Sequence, residues 1–157
     1  MCCAAKAEVV IEIGPNFVLG DYSNSGTLLL QKRWQGKYAI GIGYMTPQCL
    51  DNHEFQVECE WDISGQLMIG AERRFSWRRW SFGIGLYYVD GLSRISSTNL
   101  NARSSLEFAV THNFAVKLSH LSNGGAGSKI TVCNTGGWCV TDKFNLGLNT
   151  LALVWQF

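Results

Sequence analysis

Bulky and bare residues alternate along this chain with a period of two. In YAIGIGY, Tyr38, Ile40, Ile42 and Tyr44 share one face, and Ala39, Gly41 and Gly43 share the other. WSFGIGLYY repeats the pattern: Trp80, Phe82, Ile84, Leu86 and Tyr88 oppose Ser81, Gly83, Gly85 and Tyr87. In SLEFAV, Leu106, Phe108 and Val110 oppose Ser105, Glu107 and Ala109. A period of two is that of a β-strand, whose successive side chains point to opposite faces. Eight strands are predicted, near residues 9–19, 26–34, 37–46, 66–75, 79–89, 103–111, 114–122 and 147–157. A further alternating stretch, EFQVECEW at 54–61, is placed as a protruding extension of a long loop and not as a ninth strand.

The bare face decides between β architectures. A soluble sandwich turns its large apolar residues inward and has no use for small residues on the polar side. A narrow barrel does, because its interior is tight while its outer face meets lipid. Alternation also places Glu12, Arg33, Glu72, Arg74, Glu107 and Lys117 on the small-residue face, where mixed signs suggest a paired interior network. The connections WQGK, SWRR and THNF are tight, whereas 20–25, 47–65, 90–102 and 123–146 are longer. Short turns at one end and long loops at the other is the asymmetry of outer-membrane barrels. The expectation is therefore an all-β fold, an eight-stranded antiparallel transmembrane β-barrel. A soluble carrier barrel would need an apolar interior, which the inward Glu and Lys residues oppose.

Composition agrees. The 157 residues, 46% hydrophobic and 16% charged, suit one domain, and 17 glycines with 12% aromatics suit strands and tight turns. A formal net charge of +1 lacks the basic footprint of phosphate-backbone binding, so no nucleic-acid partner is expected. No apolar run reaches the roughly 18 residues of a membrane-spanning helix. Ala5-Lys6-Ala7 before Glu8 has the small-x-small form of a secretory cleavage site, so residues 1–7 are assigned to a signal-peptide remnant and 8–157 to a single barrel domain. Cys49, Cys59, Cys133 and Cys139 are candidates for two local disulfides, and neither pair has the spacing common in zinc sites. No metal or cofactor is expected. His53 and His112 read as solvated histidines. Arg73, Arg74, Arg78 and Arg79, around the turn in RRFSWRRW, read as interfacial or interior pairing residues.

Candidate chemistry lies in FAVKLSHLSNGG. Strict alternation puts Phe114, Val116, Leu118, His120 and Ser122 on the outer, apolar face, and Asn149, Leu151, Leu153, Trp155 and Phe157 on the outer face of the last strand. Antiparallel pairing of the two strands would bring His120, Ser122 and Asn149 together near one rim, the base, nucleophile and orienting group of acyl transfer.

HLSNGG, then NLGLN and a closing aromatic strand, resembles the outer-membrane lipid A deacylases of the PagL type, also described as acyloxyacyl hydrolase-like. The resemblance spans roughly residues 9–157 and is most specific in the His-x-Ser-Asn segment. It implies a lipid A esterase that removes a 3-O-linked acyl chain at the outer leaflet of the Gram-negative outer membrane. His120 would be the general base, Ser122 the nucleophile, and Asn123, Gly125 and Asn145 oxyanion or substrate-binding residues. Its implied partners are lipid A within lipopolysaccharide, outer-membrane lipids, and the barrel assembly machinery acting through Phe157, with a homodimer left open. The departure is Asn149, where the family pattern has an acid. That residue keeps a second reading in play: a non-catalytic barrel of the same family with a structural or surface-interaction role.

Overall fold

The computed structural model describes residues 7–17, 22–23, 25–51, 61–63, 65–90, 99–122, 130–133, 139–142 and 147–157. They contain the strands β1 (Ala7–Phe17), β2 (Tyr22–Ser23), β3 (Gly26–Trp34), β4 (Tyr38–Met45), β5 (Gln48–Asp51), β6 (Trp61–Ile63) and β7 (Gln66–Trp77). The remainder are β8 (Trp80–Val89), β9 (Leu100–Ala109), β10 (Phe114–Ser122), β11 (Ile130–Cys133), β12 (Cys139–Asp142) and β13 (Leu148–Gln156). Eight of them close a barrel in the order β1-β13-β10-β9-β8-β7-β4-β3. Every neighbouring pair is antiparallel, and closure is made by β1 against β13, with Ile11 opposite Trp155. The eight-stranded barrel expected from the alternation is present. β9 starts at Leu100, three residues before its expected beginning, and β1 runs from Ala7, already paired with Trp34.

Two small sheets lie outside the barrel: β2-β5-β6, and the hairpin β11–β12. The first joins β2 of the 20–25 connection to β5 and β6 of the 47–65 connection; residues 52–60, most of EFQVECEW, lie outside the described residues. The second lies in the 123–146 connection, where no strand is expected from the alternation. Within it Cys133 stands opposite Cys139 in the antiparallel register, the backbone placement that a cross-strand disulfide uses. Cys49 lies in β5, and Cys59 lies outside the described residues.

The tight end has the predicted turns. Lys37 N–H donates to the Trp34 carbonyl at 2.9 Å, and Gln35 and Gly36 between them take φ of 51° and 64°, as a primed hairpin turn requires. The β7–β8 turn places Arg78 at φ 54°. Between β9 and β10, the Thr111 hydroxyl accepts from the N–H groups of Asn113 and Phe114.

Burial separates the two faces of the wall. The outer side holds large hydrophobics such as Ile13, Ile42, Ile69, Leu86 and Leu153, each more than half exposed. A belt of this kind is compatible with a wall that faces lipid. The interior is polar at mid-height. Glu12 meets Lys117 (2.6 Å), Arg103 (2.8 Å) and Arg33 (3.4 Å). Glu72 meets Arg103 (2.5 Å) and Lys117 (3.5 Å), and Glu107 meets Arg33 (2.8 Å) and Arg74 (2.9 Å). The six charges placed inside by alternation are all in this network, and Arg103 joins them. Leu29, Met45, Met68, Tyr87, Val89 and Leu148 form an apolar layer towards the long-loop end, while Val10, Ala115 and Val154 form another towards the tight end.

The bare positions make room for these groups. A Cβ on Gly70 would lie 2.5 Å from the Tyr87 ring, and one on Gly85 would lie 2.8 Å from Cγ of Glu72. Tyr87 in turn donates to Glu72 at 2.9 Å and accepts from Gln31 at 3.1 Å. The small-residue face is thus the floor on which the interior network rests.

Candidate functional site

The outward face of β10 carries Val116, Leu118, His120 and Ser122, and the change from apolar to polar falls at its long-loop end. One row crosses four strands there. Phe17 of β1 is opposite Asn149 of β13, Asn149 is opposite His120 of β10, and His120 is opposite Ser104 of β9. The expected neighbourhood of His120 and Asn149 is therefore set by backbone register, before any side chain is considered.

The side chains complete it. His120 Nδ1 lies 3.0 Å from Asn149 Oδ1, and Asn149 Nδ2 donates to the Phe17 carbonyl at 3.4 Å. A carbonyl only accepts, so it selects the amide orientation with Nδ2 towards Phe17 and Oδ1 towards the ring. Oδ1 also only accepts, so Nδ1 carries the proton and the lone pair is on Nε2. Asn149 is 9% exposed although it faces outward, whereas Leu151, two residues further on the same face, is 48% exposed. The amide is held in shelter, where its hydrogen bonds compete least with water.

Gly147 seats the other side of the imidazole. A Cβ there would run into Cε1 of His120 and come within 2.7 Å of Nε2, so only a residue without a side chain admits the ring in this place. Its φ of 51° also ends the extended geometry of β13.

Ser122 is two residues beyond His120 on the same face, a Cα separation of about 6.5–7 Å for a strand, and its partner on β9 is Ala102. A ring fixed through Nδ1 with Nε2 as its basic atom is the form that accepts a proton from a nearby hydroxyl. His120, Ser122 and Asn149 thus occupy one corner of the outer wall. Asn123, Gly125 and Asn145 lie outside the described residues. The Phe17 carbonyl and the Gly147 seat carry no sequence signal of their own: the first is a backbone atom, and the second depends on where the ring comes to lie.

The remaining expectations sort by height on the barrel. His112 is in the β9–β10 turn, at the opposite end from His120. Arg74 is in the interior network, while Arg73 lies over Tyr38 and Phe75 at 5.9 and 5.2 Å and Arg78 over Trp77 at 5.0 Å. Interior pairing and interfacial stacking divide these arginines between them. No family model matches the chain, and no curated protein does.

Proposed function

We propose that this protein is an esterase of the Gram-negative outer membrane that removes a 3-O-linked acyl chain from lipid A. The observation that carries the reading is the His120 Nδ1 to Asn149 Oδ1 hydrogen bond of 3.0 Å on the outward face of the barrel wall, with the amide fixed by the Phe17 carbonyl. A lipid-facing base suits a substrate whose ester lies in the membrane. The apolar belt, the closed barrel and the resemblance of HLSNGG to the lipid A deacylases support the location.

In this reading Nε2 of His120 takes the proton of Ser122 Oγ as the oxygen attacks the ester carbonyl. The tetrahedral intermediate collapses, the sugar oxygen leaves with the proton from the imidazolium, and the acyl group stays on Ser122. Water, deprotonated by the same nitrogen, then attacks the acyl-serine and releases the fatty acid. Asn123, Gly125 and Asn145 are the residues assigned to the oxyanion and the substrate, where one donor is typically worth about 2.7–4 kcal/mol.

The amide at position 149 favours a second reading, a non-catalytic barrel, because an amide carries no charge to stabilise imidazolium. In serine proteases the change from acid to amide costs about 10⁴ in rate, chiefly through the wrong tautomer. Here the tautomer is the productive one, so a slow enzyme is expected. Purified barrel incubated with lipid A in detergent, with the released acid identified by mass, separates the readings. The esterase releases one hydroxyacyl chain, and the His120→Ala variant none. An inert wild-type barrel of native fold leaves the non-catalytic reading.

A further inference from the structure

The end of the barrel opposite His120 has a second constellation that this chemistry does not use. A cavity of about 350 Å³ opens at the rim between β4 and β7, lined by Lys37, Tyr38, Arg73, Arg74, Phe75 and Ser76. Three of its six lining residues are cationic and none is acidic. Arg74 is buried, with a side chain 4% exposed, and binds Glu107 through Nη1 and Nη2 at 3.2 and 2.9 Å. Its Nε is buried, and no hydrogen-bond partner for it is found among the described residues. Lys37 and Arg73 are exposed, and Arg73 is spread over the Tyr38 and Phe75 rings.

The wall beside the cavity identifies the occupant. Outward residues of β4, β7 and β8 stand in rows: Tyr38, Arg73 and Ile84; then Ile40, Ala71 and Leu86; then Ile42, Ile69 and Tyr88. Ala71 is the one small side chain in this apolar field. It leaves a notch directly beyond Arg73, flanked by Ile40 and Leu86. A soluble anion has no use for an apolar notch, whereas a lipid has a phosphate for the cations and a chain for the notch.

Resting on the membrane location proposed above, we infer that this rim binds an anionic phospholipid of the inner leaflet. Its phosphate sits at Lys37 and Arg73, and one acyl chain runs along Ala71. Phosphate oxygens accept charge-assisted hydrogen bonds from both side chains. The site lies a full barrel height from His120 and takes no part in ester cleavage.

The test is native mass spectrometry of the barrel released from phosphatidylcholine nanodiscs that contain a minority of phosphatidylglycerol. The wild type should retain one phosphatidylglycerol with a preference of about tenfold over phosphatidylcholine, the scale of one or two charge-assisted contacts. The Lys37→Gln/Arg73→Gln double variant should lose the preference, and so should Ala71→Leu, which changes no charge. Arg78→Gln/Arg79→Gln, with the same charge change one turn away, should keep it. Equal loss in both double variants, retention in Ala71→Leu, or displacement of the lipid by millimolar inorganic phosphate would overturn the site. A barrel that enters no bilayer overturns the membrane location and this site with it; one that enters without preference overturns the site alone.

Discussion

In the proposed esterase, an amide in place of a carboxylate changes what His120 can do, and the Phe17 carbonyl determines how much. By holding Nδ2, it turns Oδ1 towards the ring and leaves Nε2 as the base. The Asn149→Ala variant should lower kcat on the order of ten- to a hundredfold, the worth of a sheltered hydrogen bond of about 1–3 kcal/mol, with the fold retained. Gly147→Ala should be at least as damaging, since a Cβ within 2.7 Å of Nε2 displaces the ring. In both variants the heat-modifiable mobility of the folded barrel on gels checks that only the site has changed. His120, Ser122 and Asn149 were legible in the sequence because they interrupt an apolar face at positions that alternation fixes. Gly147 and the Phe17 carbonyl were not, because what they do depends on the position of the ring and on backbone groups, and residue type records neither.

Elements were the most legible level. Each barrel strand falls within three residues of its expected limits, because bulky and bare residues mark the two faces at nearly every position from Tyr38 to Tyr44 and from Trp80 to Tyr88. The start of β9 was missed where LNAR carries no strong alternation, and Arg103 was overlooked among the interior charges for the same reason. The hairpin β11–β12 was missed because its strands are four residues each and lie among turn-forming residues. The outward faces carry their own prediction. In a bilayer, Ile42→Arg should destabilise the barrel by about 2–4 kcal/mol, the cost of a cation near mid-membrane on a lipid-facing strand. Unfolding from phospholipid vesicles in denaturant would measure it, and an unchanged midpoint would deny that this face meets lipid.

At the scale of the whole molecule, the barrel is held shut by a network in which Arg33, Arg74, Arg103 and Lys117 surround Glu12, Glu72 and Glu107. Four cations share three carboxylates, so the two signs should respond differently to neutralisation. Glu72→Gln leaves Arg103 and Lys117 underpaired and should cost about 3–5 kcal/mol. Lys117→Met should cost less, because Glu12 keeps Arg33 and Arg103 and Glu72 keeps Arg103. Denaturant midpoints of the two variants give the comparison, and a larger loss for Lys117→Met would contradict the accounting. Backbone register sets His120 opposite Asn149, and the Phe17 carbonyl and the Gly147 seat fix how the two side chains meet. The most direct test of the whole account is the mass of lipid A from Gram-negative cells that make the protein with an intact signal peptide, beside cells that make Ser122→Ala. Lipid A should be lighter by one hydroxyacyl chain with the wild type and unchanged with the variant. Unchanged lipid A in both, with the wild-type barrel in the outer membrane, would contradict it.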